Sequence, residues 1–318
     1  MTSYYRVPIS VLSLISLLFV GCSEFIEENL KDKKVILNSP AADHETNKYS
    51  QSFWWEPVGN TQFYRLQVVG PTFDSIAETI LDTLVKSNRF LTTLDPGQYE
   101  WRVRVENSGS YGLYSTRRLV IHESSITTQR VQLKLPAMHL ITNQKSITYS
   151  WYGLFGAEEY HLQIDTNDFS NVKSLVFDAI TPDIEFTVPL TKDKQYKWRV
   201  RAELADTIYS KWSNIHTFSL DTTPPDKVEL SSPTDGQTVS KPVSLAWMAQ
   251  VGATKYQLVI YKSDGVTVFN STFPLTLTNT SFSFTEGSFN DKLYWKVRAI
   301  DAAGNFSIYS DVRDFTVQ

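Results

Sequence analysis

The sequence holds one cysteine, Cys22, in 318 residues. No intramolecular disulfide can form, so any fold must stand on its hydrophobic cores. The five histidines, His44, His122, His139, His161 and His216, are scattered, and none stands at a metal-ligand spacing such as HxxxH. A GxSxG elbow, a Gly-rich phosphate loop and a paired-cysteine motif are all missing, and nothing in the sequence points to a cofactor. A large excess of charge of either sign is also missing: the formal net charge is −4, which suggests neither nucleic acid nor an anionic membrane surface as a partner. Long runs of helical period do not occur either, and with an aromatic fraction of 13% their absence favours an all-β chain.

What is present is a repeat. Trp55, Tyr64, Leu66 and Val68 form the phrase W-x8-Y-x-L-x-V, which returns as Trp151, Tyr160, Leu162 and Ile164 and again as Trp247, Tyr256, Leu258 and Ile260. A second phrase keeps the same interval: Trp101-Arg102-Val103-Arg104, Trp198-Arg199-Val200-Arg201 and Trp295-Lys296-Val297-Arg298. Such self-similarity sets the architecture before any other signal is read. Period-two alternation predicts that Tyr99, Trp101, Val103 and Val105, with their equivalents, point inward, and that the intervening arginines and Lys296 point out. Two sheets facing each other through a pair of tryptophans in each repeat make a β-sandwich. The expected units are residues 35–123, 131–221 and 222–318, with Asp221-Thr222-Thr223-Pro224-Pro225 as a linker. The middle of the first repeat, Val69 to Phe90, is longer than its siblings and reads equally as two short strands or a helical turn. Carboxylate pairs for glycoside hydrolysis are spatial and could hide among 34 acids. Small sandwiches nevertheless present end loops rather than enclosed pockets, so a non-enzymatic protein is expected.

The chain opens with an export signal over residues 1–21. Arg6 precedes a 14-residue apolar run, Val7 to Val20, too short to span a bilayer comfortably. Phe19-Val20-Gly21-Cys22 resembles the lipobox of bacterial lipoproteins, although Phe19 replaces the usual leucine. That resemblance implies a membrane anchor through lipid on Cys22. Ser23-Glu24-Phe25-Ile26-Glu27-Glu28 is similar to the acidic surface-export signal of Bacteroidota lipoproteins, and it also reads as a solvated tether; residues 22–34 are expected to form a polar leash. The implied location is the outer membrane, exposed on the cell surface.

Tryptophan on a strand B (Trp55, Trp151, Trp247), tyrosine on a strand C (Tyr64, Tyr160, Tyr256), and Leu94-x-Pro96-Gly97-x-Tyr99 entering a strand F resemble fibronectin type III domains, in which that last tyrosine bonds back to the chain at a corner. The resemblance runs from about residue 35 to 318 and implies three tandem fibronectin type III or Ig-like sandwiches. Repeat three departs from it, with Leu293 at the tyrosine position and Tyr294 beside it. Aromatics left over from the core are the candidate ligand-binding residues, for a glycan or protein ligand. Trp54 alternates away from Trp55 and offers an outward indole. Trp212 either binds or stacks over Arg199 and Arg201. Tyr111 lies in a loop at the end of a sandwich. Tyr114 matches Tyr209 and Tyr309 as a tyrosine of the same segment, so it reads as structural. The sequences around Ser75, Thr83, Thr207 and Thr222 resemble the D-[S/T]-aliphatic O-glycosylation acceptor of Bacteroidota. The role expected is capture of a ligand, with an accessory or scaffolding subunit of an outer-membrane complex, such as a SusC/SusD-type importer or an assembly machine, as the alternative.

Overall fold

The structure is a computed structural model and describes residues 29–59, 61–205 and 207–318. The expected signal, Cys22 and the first part of the leash lie outside the described residues. Strands dominate, in the order set by the repeat. The first repeat has β1 (Leu37–Ser39), β2 (His44–Thr46), β3 (Ser50–Trp55), β4 (Phe63–Thr72), β5 (Ser75–Val85), β6 (Arg89–Thr93), β7 (Gly97–Glu106) and β8 (Ser115–Ile121). The second has β9 (Leu133–Leu135), β10 (Leu140–Thr142), β11 (Ser146–Trp151), β12 (Glu159–Asp165), β13 (Phe177–Thr181), β14 (Glu185–Pro189), β15 (Lys194–Ala205), β16 (Ile208–Tyr209) and β17 (His216–Leu220). The third has β18 (Leu230–Ser232), β19 (Gln237–Val239), β20 (Val243–Trp247), β21 (Ala253–Tyr261), β22 (Leu275–Leu277), β23 (Ser281–Phe284), β24 (Lys292–Asp301) and β25 (Arg313–Val317).

Each repeat makes one three-stranded and one five-stranded sheet. In the first, β1-β3-β6 faces β2-β8-β7-β4-β5; the second and third keep that order, with β16 added beside β15. This is the three-on-four pairing of a fibronectin type III sandwich, extended by a short strand that joins the last strand of each repeat in parallel. The fold is therefore all-β, three sandwiches in tandem.

The recurring phrases explain the cores. Trp55, Trp101, Trp151, Trp198 and Trp295 are fully buried and Trp247 nearly so. Each first tryptophan packs on its tyrosine, with ring centroids 5.4, 5.6 and 5.7 Å apart. The tyrosine hydroxyls accept bonds from Val58, Leu154 and Gln250 N–H groups at 2.9, 2.8 and 3.0 Å, which ties the loop between the two strands to the core. The corner tyrosines behave as the resemblance implies: Tyr99 donates to the Asp95 carbonyl at 2.9 Å and Tyr196 to that of Lys192 at 2.8 Å. Repeat three is tied differently. Leu293 stays buried in register with Phe315, and the corner is held by the Ser288 N–H donating to the Asp291 carboxylate at 2.7 Å and Lys241 Nζ donating to the Gly287 carbonyl at 2.8 Å.

Two features differ from the sequence reading. The long middle of repeat one is neither a helical turn nor two short strands but one 11-residue strand, β5, paired along β4. The last part of the expected leash is exposed at Asn29 and Lys31 to Lys34 but tied down at Leu30, which is fully buried and whose N–H donates to Ser110 Oγ at 2.9 Å.

The first two sandwiches share one continuous cluster of buried side chains, and the third has its own. Gln129, only 5% exposed, pins the joining segment, accepting from Tyr49 N–H at 3.2 Å and donating to the Asn47 carbonyl at 2.8 Å. Phe155 meets Tyr49 edge-on at 6.1 Å. Between the second and third sandwiches, the Asp193 carboxylate accepts from Thr222 N–H, Thr222 Oγ1 and Thr223 Oγ1 at 2.9, 2.9 and 2.8 Å. These bonds hold the Asp193 pKa below the usual carboxylate value.

Candidate functional site

Alternation on β7, β15 and β24 aims their cations at the outer face of the five-stranded sheets, and each row of cations is interleaved with aromatics. In the second sandwich the order is Phe169, Arg199, Trp212, Arg201 and Tyr209, with cation-to-centroid distances of 4.2, 4.2, 4.9 and 4.0 Å. The first sandwich stacks Phe73, Arg102, Tyr114, Arg104 and Tyr111 at 3.8, 4.0, 4.6 and 4.1 Å. The third stacks Tyr261, Lys296, Tyr309, Arg298 and Phe306 at 5.2, 4.4, 4.7 and 3.9 Å. Each contact is a cation–π interaction worth about 0.5–1 kcal/mol when exposed and more when desolvated. Burial, followed by repulsion from Arg201, pulls the Arg199 pKa below its ordinary value.

Two of the three aromatics in each ladder come from a five-residue segment that the sequence reading misaligned; the third, Phe73, Phe169 or Tyr261, lies elsewhere in its repeat. Tyr111-Gly112-Leu113-Tyr114-Ser115, Tyr209-Ser210-Lys211-Trp212-Ser213 and Phe306-Ser307-Ile308-Tyr309-Ser310 occupy equivalent places. Tyr114 therefore matches Trp212 and Tyr309, while Tyr111 matches Tyr209 and Phe306. The pattern aromatic, small, any, aromatic, serine was the available signal. Its serines cap strand edges: Ser210 Oγ accepts from Ala202 N–H at 2.9 Å and Ser213 Oγ from Val200 N–H at 3.1 Å, with Ser307 and Ser310 doing the same for Ala299 and Val297. Ser213→Ala is expected to leave the buried Val200 N–H unpaired and to destabilise the second sandwich by about 1–3 kcal/mol. Denaturant unfolding would read the loss, with accelerated amide exchange at Val200.

The three aromatics singled out in the sequence do not converge. Trp212 is held in its ladder between Arg199 and Arg201, as the spacing allows. Tyr111 is the outermost rung of the first ladder and remains 60% exposed. Trp54 is 38% exposed on the three-stranded sheet, beside its cross-strand partner Arg89, whose guanidinium lies 5.8 Å from the ring. Of the glycosylation-like positions, Ser75 and Thr207 are exposed, Thr83 is half-buried on β5, and the Thr222 hydroxyl is engaged by Asp193. Among the described residues no three His, Cys, Asp or Glu side chains are grouped as a metal ion would require.

Sequence reasoning missed two surfaces. The first is the segment around β10. Leu135, Met138, Leu140 and Ile141 are 54, 45, 39 and 45% exposed. The equivalent positions are Ser39, Ala42, His44 and Glu45 in the first repeat and Ser232, Asp235, Gln237 and Thr238 in the third. The other surface is a cleft of about 520 Å³ where the first two sandwiches and their joining segment meet. His216 lies on its wall and packs edge-on against Trp198 at 5.7 Å. Burial pushes the His216 pKa below its ordinary 6.5, only partly offset by a bond to the Pro136 carbonyl. Because the unfolded chain takes up this proton at higher pH than the folded one, the stability tied to neutral His216 is complete above about pH 6.5 and falls as pH drops below it. Melting of the second sandwich is expected to decline from pH 7.5 to 5, less steeply in His216→Asn.

Fold and surface together define an all-β protein of fibronectin type III-like sandwiches, stapled by repeated cation–π ladders. No protein-family model and no curated protein matches the sequence. Among solved structures, the chain is similar to the FN1–FN3 domains of chicken CNTN1, over 89% of this chain and 97% of that one, at 15% identity and a TM-score of 0.40. It is also similar to the fibronectin(III)-like modules of Clostridium thermocellum CbhA, over 59% of this chain and 94% of that one, at 12% identity and a TM-score of 0.40.

Proposed function

We propose that this protein is an outer-membrane lipoprotein, anchored through lipid on Cys22 and exposed at the cell surface, that binds a protein partner and catalyses no reaction. The observation that carries the reading is the apolar edge at β10. Natural sheet edges are blunted by charge and polarity, as β2 and β19 are, whereas β10 presents Leu140 and Ile141, with Met138 two residues before the strand, at an edge that pairs with no further strand among the described residues. Adjacent exposed apolar side chains of this kind mark contact surfaces. The ladders occupy Trp212 and Tyr111, which leaves Trp54 as a lone outward ring, and this turns the choice of ligand toward protein. An accessory-subunit role in an outer-membrane complex draws support from the shared core of the first two sandwiches, since a stiff pair suits a spacer. The exposed Ser75 and Thr207 are the acceptors best placed for O-glycosylation, which an intact mass would register as added hexose-scale increments.

The test is affinity purification from native outer membranes with a tag after Gln318, alongside protease shaving of intact cells. A stoichiometric protein partner is expected with the unaltered chain and should disappear with Met138→Asp and Ile141→Asp, both at exposed positions. A partner retained by that double variant, or a chain that always comes down alone, would sink the reading.

A further inference from the structure

We propose that the cleft between the first two sandwiches is a binding site for an acidic saccharide, one carrying a uronic-acid carboxylate. Its volume, about 520 Å³, lies within the range of about 300–1,000 Å³ common to small-ligand sites. Three cations line it, Lys48 from the first sandwich, Arg130 from the joining segment and Lys211 from the second, and no carboxylate does. In a chain of net charge −4 such a grouping is a local reversal of sign. The Lys48 and Lys211 ammonium groups take part in no ion pair among the described residues. Arg130 uses one nitrogen to donate to the Trp212 carbonyl at 2.9 Å, which fixes its direction and leaves further donors.

A second observation is independent of charge. Gln132, on the cleft wall, is only 9% exposed; one end of its amide donates to Ser50 Oγ and the other, Oε1, is buried with no partner. Whichever way the amide is turned, one of its polar atoms stays unsatisfied, a state that folded proteins avoid. Turned toward the cleft, that end of the amide would meet a ligand hydroxyl, which both donates and accepts, in either orientation. Leu91 and Val131 give the same cleft apolar wall suited to the C–H face of a pyranose. No tryptophan, tyrosine or phenylalanine lines it and its one ring, His216, is engaged edge-on by Trp198, so the broad stacking platform that a nucleobase would want is missing. A polyhydroxylated carboxylate matches cations, amide and apolar wall together.

The site shares no lining residue with the β10 edge, and the substitutions that test the two are different, so the two proposals fail separately. Titration calorimetry of the whole chain in detergent with trigalacturonate is expected to show binding that maltotriose does not, weakened by added salt. The double variant Lys48→Gln with Lys211→Gln alters exposed side chains and should keep the wild-type melting profile, yet bind trigalacturonate about tenfold or more weakly. Trp54→Ala should bind as the wild type does. Absence of binding at millimolar trigalacturonate, equal binding of maltotriose, or full affinity in the double variant would each overturn the assignment.

Discussion

Trp198→Ala is expected to cost the second sandwich about 3–5 kcal/mol, the range for emptying a large aromatic site in a well-packed core. Trp198 is fully buried, with Tyr149 edge-on at 5.2 Å and His216 at 5.7 Å. A domain's whole stability is about 5–15 kcal/mol, so amide protection in β11, β12, β15 and β17 should largely collapse. The third sandwich should keep its protection, because Trp247 and Trp295 belong to a separate cluster. Trp198→Phe makes the comparison sharper. The indole N–H meets no acceptor among the described residues, so phenylalanine forfeits volume but no hydrogen bond and should cost a fraction of the alanine value. Hydrogen exchange across all three sandwiches decides the matter: loss of protection in the third, or none in the second, would contradict the division of the cores.

The second large effect is expected from Gly112→Ser, a change that brings the first repeat into line with Ser210 and Ser307 and should nonetheless destabilise it. A Cβ at position 112 would lie 2.4 Å from the Lys33 carbonyl oxygen and 2.7 Å from Val105 Cγ2. The first of these is backbone, which cannot swing aside as a flexible side chain can. Leu113 N–H donates to that same Lys33 carbonyl at 2.9 Å, and Lys33 N–H turns back to the Leu30 carbonyl at 2.9 Å. Residues 30–34 must therefore lift away, exposing Leu30, at about 1–3 kcal/mol for a well-packed site forced to overfill. Trypsin should report it: cleavage at Lys31, Lys33 or Lys34, slow in the parent chain, should become fast, while the second and third sandwiches melt as before. Unchanged cleavage would mean that the segment can shift at no cost.

Much of this architecture was legible because burial imposes a period. W-x8-Y marks a tryptophan at the end of one strand and a tyrosine on the next, and both must face inward, so the phrase survives in all three repeats. The arginines of the W-R-V-R phrase were legible for the complementary reason, and the partnership of Trp212 with Arg199 and Arg201 followed from it. The misalignment of Tyr114 arose because tyrosine alone was matched, when the invariant feature is chemical: a flat ring on each side of a cation, with phenylalanine, tyrosine and tryptophan interchangeable. The length of β5 was hidden because its 11 residues lie at a sheet edge, where Ile76 and Leu84 can be exposed and alternation is weak. The β10 edge and the cleft were hidden for different reasons. A strand of three residues, as β10 is, carries too little alternation to show that Leu140 and Ile141 face outward, and the cleft draws Lys48, Arg130 and Lys211 from three parts of the sequence that only the junction brings together.

The packed segment at Leu30 sets a length scale for the proposed anchor. With lipid on Cys22, only residues 23–29 separate the attachment point from a side chain that is fully buried in the first sandwich. Seven residues, even fully extended, span no more than about 25 Å. The first sandwich would then patrol a shell barely deeper than the lipid headgroups and their sugars. Height above the membrane would come from the later sandwiches, and a partner of the first sandwich would be met close to the bilayer.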